Sequence, residues 1–152
     1  MKYRIKYITF IIACIFISCI KQDNKTAYFA DYLKNNHKIN ISYKTHYFVI
    51  LKGTHGCNYC FKALKKYLDS TNRINDISII VSKTNINIER YKCLIEKYPD
   101  EIFFDKECKI DDLDIDLFST GIIVTKNKKI VEIKDFKYNE DNTPENFIKQ
   151  II

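Results

Sequence analysis

The feature that most constrains the fold is an apolar run that ends in two glycines and a pair of cysteines. Residues 46–52 read HYFVILK and are mostly β-branched or aromatic, which predicts a buried strand. Gly53 and Gly56 interrupt this run, and apolar residues then recur at helical spacing. The sequence therefore predicts a strand that turns sharply into a helix, with Cys57 at the helix start and Cys60 one turn further along.

The predicted position of Cys57 favours a reactive thiolate. The first backbone N–H groups of a helix have no intrahelical partner and carry roughly half a positive charge. This charge lowers the pKa of a thiol at the helix start. We expect Cys57 to be the accessible nucleophile, and Cys60, on the apolar face of the helix, to be the half-buried resolving thiol.

The strand, the sequence Cys57-Asn58-Tyr59-Cys60 and the helix resemble the thioredoxin superfamily, in particular its membrane-anchored TlpA-like members. The resemblance covers the chain from about Tyr43 onwards. It implies an α/β, thioredoxin-like fold, in which a central mixed sheet is flanked by helices. It also implies disulfide exchange with protein thiols or disulfides, in which Cys57 attacks and Cys60 releases the product. An unidentified redox partner would restore the pair, and no cofactor is implied.

The chain departs from the family pattern at two places. Thr120-Gly121 stands where the family has a cis-proline before the first strand of a hairpin. We expect a trans bond there, because a non-proline cis bond costs about 2.5–4 kcal/mol. Gly121 still allows a close backbone approach, so both residues remain auxiliary site residues. Leu51 or Lys52 replaces the family's buried acidic residue, so proton transfer requires another group.

Two residues beside the cysteines are further auxiliary candidates. His55 lies two residues before Cys57, where its imidazolium favours a thiolate and its neutral form accepts a proton. An exposed loop histidine without a chemical role is an equally good interpretation. Tyr59 is expected to shape the rim of the site.

Two other functions are consistent with the same residues. A non-catalytic thioredoxin-like binding module would keep the fold and use Cys57–Cys60 as a structural disulfide. A copper or zinc carrier would use the two thiolates with an imidazole. No second Cys-x-x-Cys or His-x₃-His motif supplies further ligands, so we assign no metal.

The first residues predict export and lipidation. Three positive charges precede an apolar stretch at residues 8–17, and Ser18-Cys19 resembles the lipobox of bacterial lipoproteins. We expect a signal peptide at 1–18, a lipidated Cys19 with a tether at 19–25, and one domain at 26–152. Cleavage before Cys14 and an uncleaved anchor are the alternatives. The domain is then lipid-anchored in the bacterial cell envelope, on the periplasmic side.

The charge pattern argues against a nucleic-acid partner. Removing Lys2, Arg4 and Lys6 from the net charge of +6 leaves +3, and the other lysines are scattered among acidic residues.

Cys93 and Cys108 either form a second disulfide or stay unpaired, and the sequence leaves both open.

Periodicity and turn signals predict the remaining elements. Strands are expected at Ile39–Tyr43, Ile77–Val81, Glu101–Phe104, Gly121–Thr125 and Lys129–Ile133, and helices at Thr26–Asn35, Ile88–Tyr98 and Thr143–Ile152, with one helical turn within Asp111–Asp116.

Overall fold

The protein is built on a mixed five-stranded sheet. A computed structural model describes residues 24–52, 65–66, 68–70, 76–82, 92–118 and 120–136. The strands are β1 His46–Lys52, β2 Ile77–Ser82, β3 Ile102–Asp105, β4 Gly121–Lys126 and β5 Lys129–Asp135. Their order in the sheet is β3-β2-β1-β4-β5. The three strands β1, β2 and β3 run parallel, whereas β4 is antiparallel to both β1 and β5.

Helical segments connect and flank these strands. Helix α1 covers residues 24–32 and continues as a π-helical turn at Leu33–His37. Residues 65–66 and 68–70 are helical, α2 covers Lys92–Lys97, and a 3₁₀ helix covers Lys109–Asp112. Helices together with a mixed sheet confirm the predicted α/β class.

Strand β1 is central because both of its faces are apolar. Phe48 and Ile50 pack into one core layer and Val49 and Leu51 into the other, each at most 7 % exposed. A strand covered on both faces has no polar face, so its sequence is a continuous apolar run. This explains why residues 46–52 predicted the strand correctly.

Each face of the sheet carries its own core layer. One layer contains residues from the helices and loops that follow β1 and the residue directly after β5, among them Leu68, Tyr98 and Phe136. The other contains Phe29 and Leu33 of the N-terminal helical segment, together with residues of the loop before β4. The N-terminal helix therefore belongs to the folded domain, and it begins no later than residue 24, two residues before the predicted start.

The predicted strand at Ile39–Tyr43 is wrong. These residues form no strand, because the Ser42 and Tyr43 carbonyls accept hydrogen bonds from Lys128 and Asn127 N–H at the tip of the β4-β5 hairpin. Both edges of β1 are already occupied, by β2 and β4. The alternating pattern has another cause, since Ile39 and Ile41 are partly buried against the core without joining the sheet.

The other predicted elements within the described residues are confirmed, with shifted ends. Helix α2 ends before Pro99, and the hairpin turn consists of Asn127 and Lys128, both with positive φ (53° and 61°) as a tight two-residue turn requires. The helical turn in the acidic segment lies earlier than predicted, at Lys109–Asp112.

Cys108 is a free thiol, so it forms no disulfide with Cys93. The predicted C-terminal helix lies outside the described residues.

A half-buried histidine at the start of β1 predicts a pH-dependent stability. His46 Nε2 lies 2.9 Å from Ser78 Oγ, and burial lowers the pKa of His46 below its ordinary 6.5, against the opposing charge of Asp76. The unfolded chain therefore takes up the proton first as the pH falls, so stability is greatest above pH 6.5 and declines towards the folded-state pKa.

We expect urea unfolding to show a lower free energy at about pH 5.5 than at about pH 7.5, and a smaller difference in His46→Gln. Burial also lowers the pKa of His37, which therefore contributes in the same direction. An equal pH difference in the wild type and in His46→Gln would contradict the assignment to His46.

Candidate functional site

The candidate site lies at the carboxyl ends of β1 and β2. Ligand and active sites of α/β sheets are commonly found outside the carboxyl ends of parallel strands. Lys52 is the last residue of β1, and the chain reaches Cys57 five residues later. Cys57, Cys60, His55 and Tyr59 lie outside the described residues, as does Cys19. The part of the site next to Lys52 lies within the described residues.

Thr120 joins the loop before β4 to the end of β1. Its Oγ1 accepts a hydrogen bond from Lys52 N–H at 3.0 Å and lies 3.3 Å from the Lys52 carbonyl oxygen, to which it donates. The side chain is buried, at 7 % exposure. The Thr120-Gly121 bond is trans, as predicted. Thr120 thus lies beside the end of the strand that leads to the cysteines, and its role as an auxiliary site residue stays a prediction.

Removing the Thr120 hydroxyl is expected to destabilise the protein. Thr120→Val keeps the shape but leaves the Lys52 N–H without this acceptor, at a cost of about 1–2 kcal/mol. Thr120→Ser keeps the hydroxyl and is expected to lose less than half as much. Urea denaturation of both variants measures the difference, and equal losses would show that the hydroxyl does not matter.

Gly121 is required by the close approach of β5. A Cβ at this position would clash with the Lys134 carbonyl oxygen and would lie 2.6 Å from Leu117 Cδ1 and 3.2 Å from Asp135 Cα. The backbone that approaches Gly121 closely in the structure is that of the neighbouring strand, and the role of Gly121 in the site stays a prediction. Gly121 also pairs with Ile50 of β1. Because glycine has no side chain, the start of β4 can pack closely against both β1 and β5.

Lys52, at the end of β1, is a largely buried lysine. Its side chain is 12 % exposed, and its Nζ donates to the Leu117 carbonyl at 2.7 Å and lies 3.2 Å from Asp111 Oδ1. Ser82 Oγ, at the end of β2, donates to Asp111 Oδ2 at 3.1 Å. These bonds tie the ends of β1 and β2 to the loop before β4.

A cavity of about 350 Å³ opens beside this network. It is lined by three carboxylates, one lysine, two leucines and a phenylalanine, namely Asp111, Asp114, Asp116, Lys52, Leu113, Leu117 and Phe118. Its size falls within the usual range for ligand pockets, about 300–1,000 Å³. The cavity adjoins the strand end from which the chain continues towards Cys57.

A second polar network lies at the end of β3. Asp105, 4 % exposed, accepts hydrogen bonds from the Tyr32 hydroxyl at 3.1 Å and from Ile110 N–H at 2.8 Å. The Tyr32 hydroxyl has one proton, so His37 Nε2, 2.9 Å away, is the donor in the contact with Tyr32. Burial, and then the charge of Asp105, raises the pKa of Tyr32 far above its ordinary value. This network fastens the N-terminal helical segment to the edge of the sheet.

Sequence reasoning missed both polar networks. Asp111 was predicted only to begin a segment with one helical turn, and no role was predicted for His37 or His46. Most of the contacts join distant parts of the sequence, 73 residues apart for Tyr32 and Asp105, although His37 is only five residues from Tyr32. The signal for these networks in the sequence was that each parallel strand ends in a polar residue. These residues are Lys52, Ser82 and Asp105.

The described residues contain no group of three or more His, Cys, Asp or Glu side chains that could hold a metal ion. No helix within the described ranges is long and apolar enough to cross a membrane.

Comparisons of the chain with protein-family models, with curated proteins and with solved structures found no match.

Proposed function

We propose that the chain is a thioredoxin-like thiol-disulfide oxidoreductase that exchanges disulfides with protein substrates through Cys57 and Cys60. The observation that carries the proposal is the position of the Cys-x-x-Cys motif in the chain. The motif follows the central strand of a mixed sheet, directly after that strand ends beside Thr120 and Gly121. A parallel neighbour on one side and an antiparallel hairpin on the other support the thioredoxin-like fold.

Chain length limits how far the reactive sulfur can be from the described site. An extended residue spans at most about 3.6 Å, so five residues keep the Cys57 Cα within about 18 Å of the Lys52 Cα. A protein substrate that contacts the cavity beside Lys52 can therefore also reach Cys57.

The proposed reaction transfers a disulfide between the substrate and the protein. The Cys57 thiolate attacks one sulfur of a substrate disulfide, and the other substrate sulfur leaves as a thiolate that takes a proton from solvent. The Cys60 thiolate then attacks the Cys57 sulfur, which releases the reduced substrate and forms the Cys57–Cys60 disulfide. A dithiol partner protein restores the pair by the same two steps. Oxidation of a substrate dithiol is the reverse sequence.

The proposed location is the bacterial cell envelope, outside the cytoplasm. A lipid on Cys19 would anchor the domain to the membrane, and the chain between Cys19 and residue 24 would be a short link to helix α1. Disulfide exchange fits this compartment, because disulfides form and persist in the bacterial periplasm.

The proposal is tested by trapping the mixed disulfide. We expect Cys60→Ser to retain a covalent complex with a disulfide-containing substrate such as insulin, since the resolving thiol is absent. Cys57→Ser should retain none. Cys108→Ser is the matched control, because Cys108 is a half-buried free thiol, and its combination with Cys60→Ser should trap as much complex as Cys60→Ser alone.

Non-reducing electrophoresis and mass spectrometry of the linked peptide measure the outcome. Complexes that form equally in the Cys57→Ser variant, or that are linked through Cys108, would overturn the assigned nucleophile. Absence of any complex would favour the non-catalytic binding module.

A further inference from the structure

We infer that the cavity beside Lys52 binds an arginine or lysine side chain of the substrate protein. This inference rests on the proposed function, and it names the class of substrate. It stands on a carboxylate that has no ion-pair partner among the described residues and on an exposed aromatic ring, which line the same preformed cavity at the strand end that leads to Cys57.

The walls of the cavity are fixed by bonds between separate parts of the chain. Lys52 binds the Leu117 carbonyl and Asp111, and Ser82 binds Asp111 from the next strand. Asp116 forms an ion pair with Lys25 of helix α1. Because the bonds come from the strand ends, the N-terminal helix and the loop itself, the cavity exists before a ligand arrives. A preformed site avoids the entropic cost of ordering its walls on binding.

The charges in the cavity do not balance. Lys52 compensates Asp111 and Lys25 compensates Asp116, at side-chain exposures of 12 % and 11 % for the two lysines. Asp114 is exposed and has no ion-pair partner in the part of the chain that the structure describes. A negative charge therefore remains among the described residues that line the cavity, although the chain as a whole carries a net charge of +6.

The apolar part of the lining fits the aliphatic part of a basic side chain. Leu113 and Leu117 line the cavity, and Phe118 beside them is 84 % exposed. Arginine and lysine pack their methylene groups along apolar surface while the charged end stays in a polar setting. An exposed aromatic ring also attracts a cation to its face. Asp114 and Phe118 together thus select a positive side chain over a negative one.

The test uses binding rather than redox turnover. The probes are three fluorescent octapeptides without cysteine. They differ only at the two central positions, which are both arginine in the first peptide, both glutamine in the second and both glutamate in the third. Fluorescence anisotropy with the full-length chain in a neutral detergent measures their affinities. We expect the arginine peptide to bind at least about tenfold more tightly than the glutamate peptide at low salt, with a smaller ratio at high salt.

Two variants and one control identify the binding residues. Asp114→Asn and Phe118→Ala should each weaken binding of the arginine peptide by roughly 3- to 10-fold and leave the glutamine peptide less affected. Asp100→Asn is the matched control, because this exposed aspartate precedes β3 at the opposite end of the parallel strands. A thermal unfolding curve for each variant separates loss of binding from loss of fold.

Equal affinities for the arginine and glutamate peptides would overturn the inference, as would an effect of Asp100→Asn equal to that of Asp114→Asn. The probes contain no cysteine, so their binding does not depend on disulfide exchange. Successful trapping at Cys57 without charge selectivity would contradict this inference alone, and charge-selective binding without trapping would contradict the proposed function alone.

Discussion

Replacing Cys57 by serine is expected to lower the rate of insulin reduction by the full-length chain by more than about 10³-fold. The attacking group in thiol-disulfide exchange is a thiolate, and a serine hydroxyl has no comparable anionic form at neutral pH. Cys60 cannot replace the nucleophile if it is the half-buried thiol, as the sequence predicts. The measurement is the turbidity of the released insulin chain in the presence of a dithiol reductant.

The matched control for this experiment is Cys108→Ser. Cys108 is a free thiol at the start of the 3₁₀ helix, so its replacement should leave the rate within about twofold of the wild type. A Cys57→Ser variant that reduces insulin at the wild-type rate would end the case for an enzyme. A rate that depends on Cys108 would place the reactive thiol at the end of β3 instead.

Replacing Gly121 by alanine is expected to lower the free energy of unfolding by about 3 kcal/mol. The added methyl group would occupy the space of the Lys134 carbonyl oxygen and would press against Leu117. The first neighbour is backbone, so relief requires β4 and β5 to move apart. Urea denaturation measures the loss, with an unchanged m-value if the unfolded state is unaffected.

Lys126→Ala is the control for Gly121→Ala on the same strand. Lys126 is the exposed last residue of β4, and its truncation should change stability by no more than about 0.5 kcal/mol. The double variant Gly121→Ala, Leu117→Ala should recover little stability, because the conflict with the Lys134 carbonyl remains. A fully tolerated alanine at position 121 would show that the two strands separate without cost.

The sequence predicted the sheet well where a residue pattern is compatible with only one kind of secondary structure. Residues 47–51 are all apolar or aromatic, and Ile77–Ser82 contains only serines besides aliphatic residues, because both strands lie between two core layers. A short run of this kind fits a buried strand better than a helix. The hairpin was predictable because Asn127 is suited to a left-handed turn. The alternation at Ile39–Tyr43 failed as a predictor, since a loop that buries two isoleucines gives the same pattern.

The candidate site was predictable only in part. The structure shows Thr120 and Gly121 beside the end of β1, whereas their role in the site stays a prediction. The ion pair of Lys52 with Asp111 joins segments 59 residues apart, and no local rule connects such positions. The cavity depends on the course of the loop from Asp111 to Phe118, where the sequence predicted only one helical turn.

The central place of β1 has a consequence for how the protein opens. A strand that is hydrogen-bonded on both edges and covered on both faces is among the last segments to expose its amide groups, so its hydrogen exchange should be among the slowest in the chain. The segment with the two cysteines is attached to this strand. The attachment point of that segment, at Lys52, should therefore stay in place until the domain as a whole unfolds.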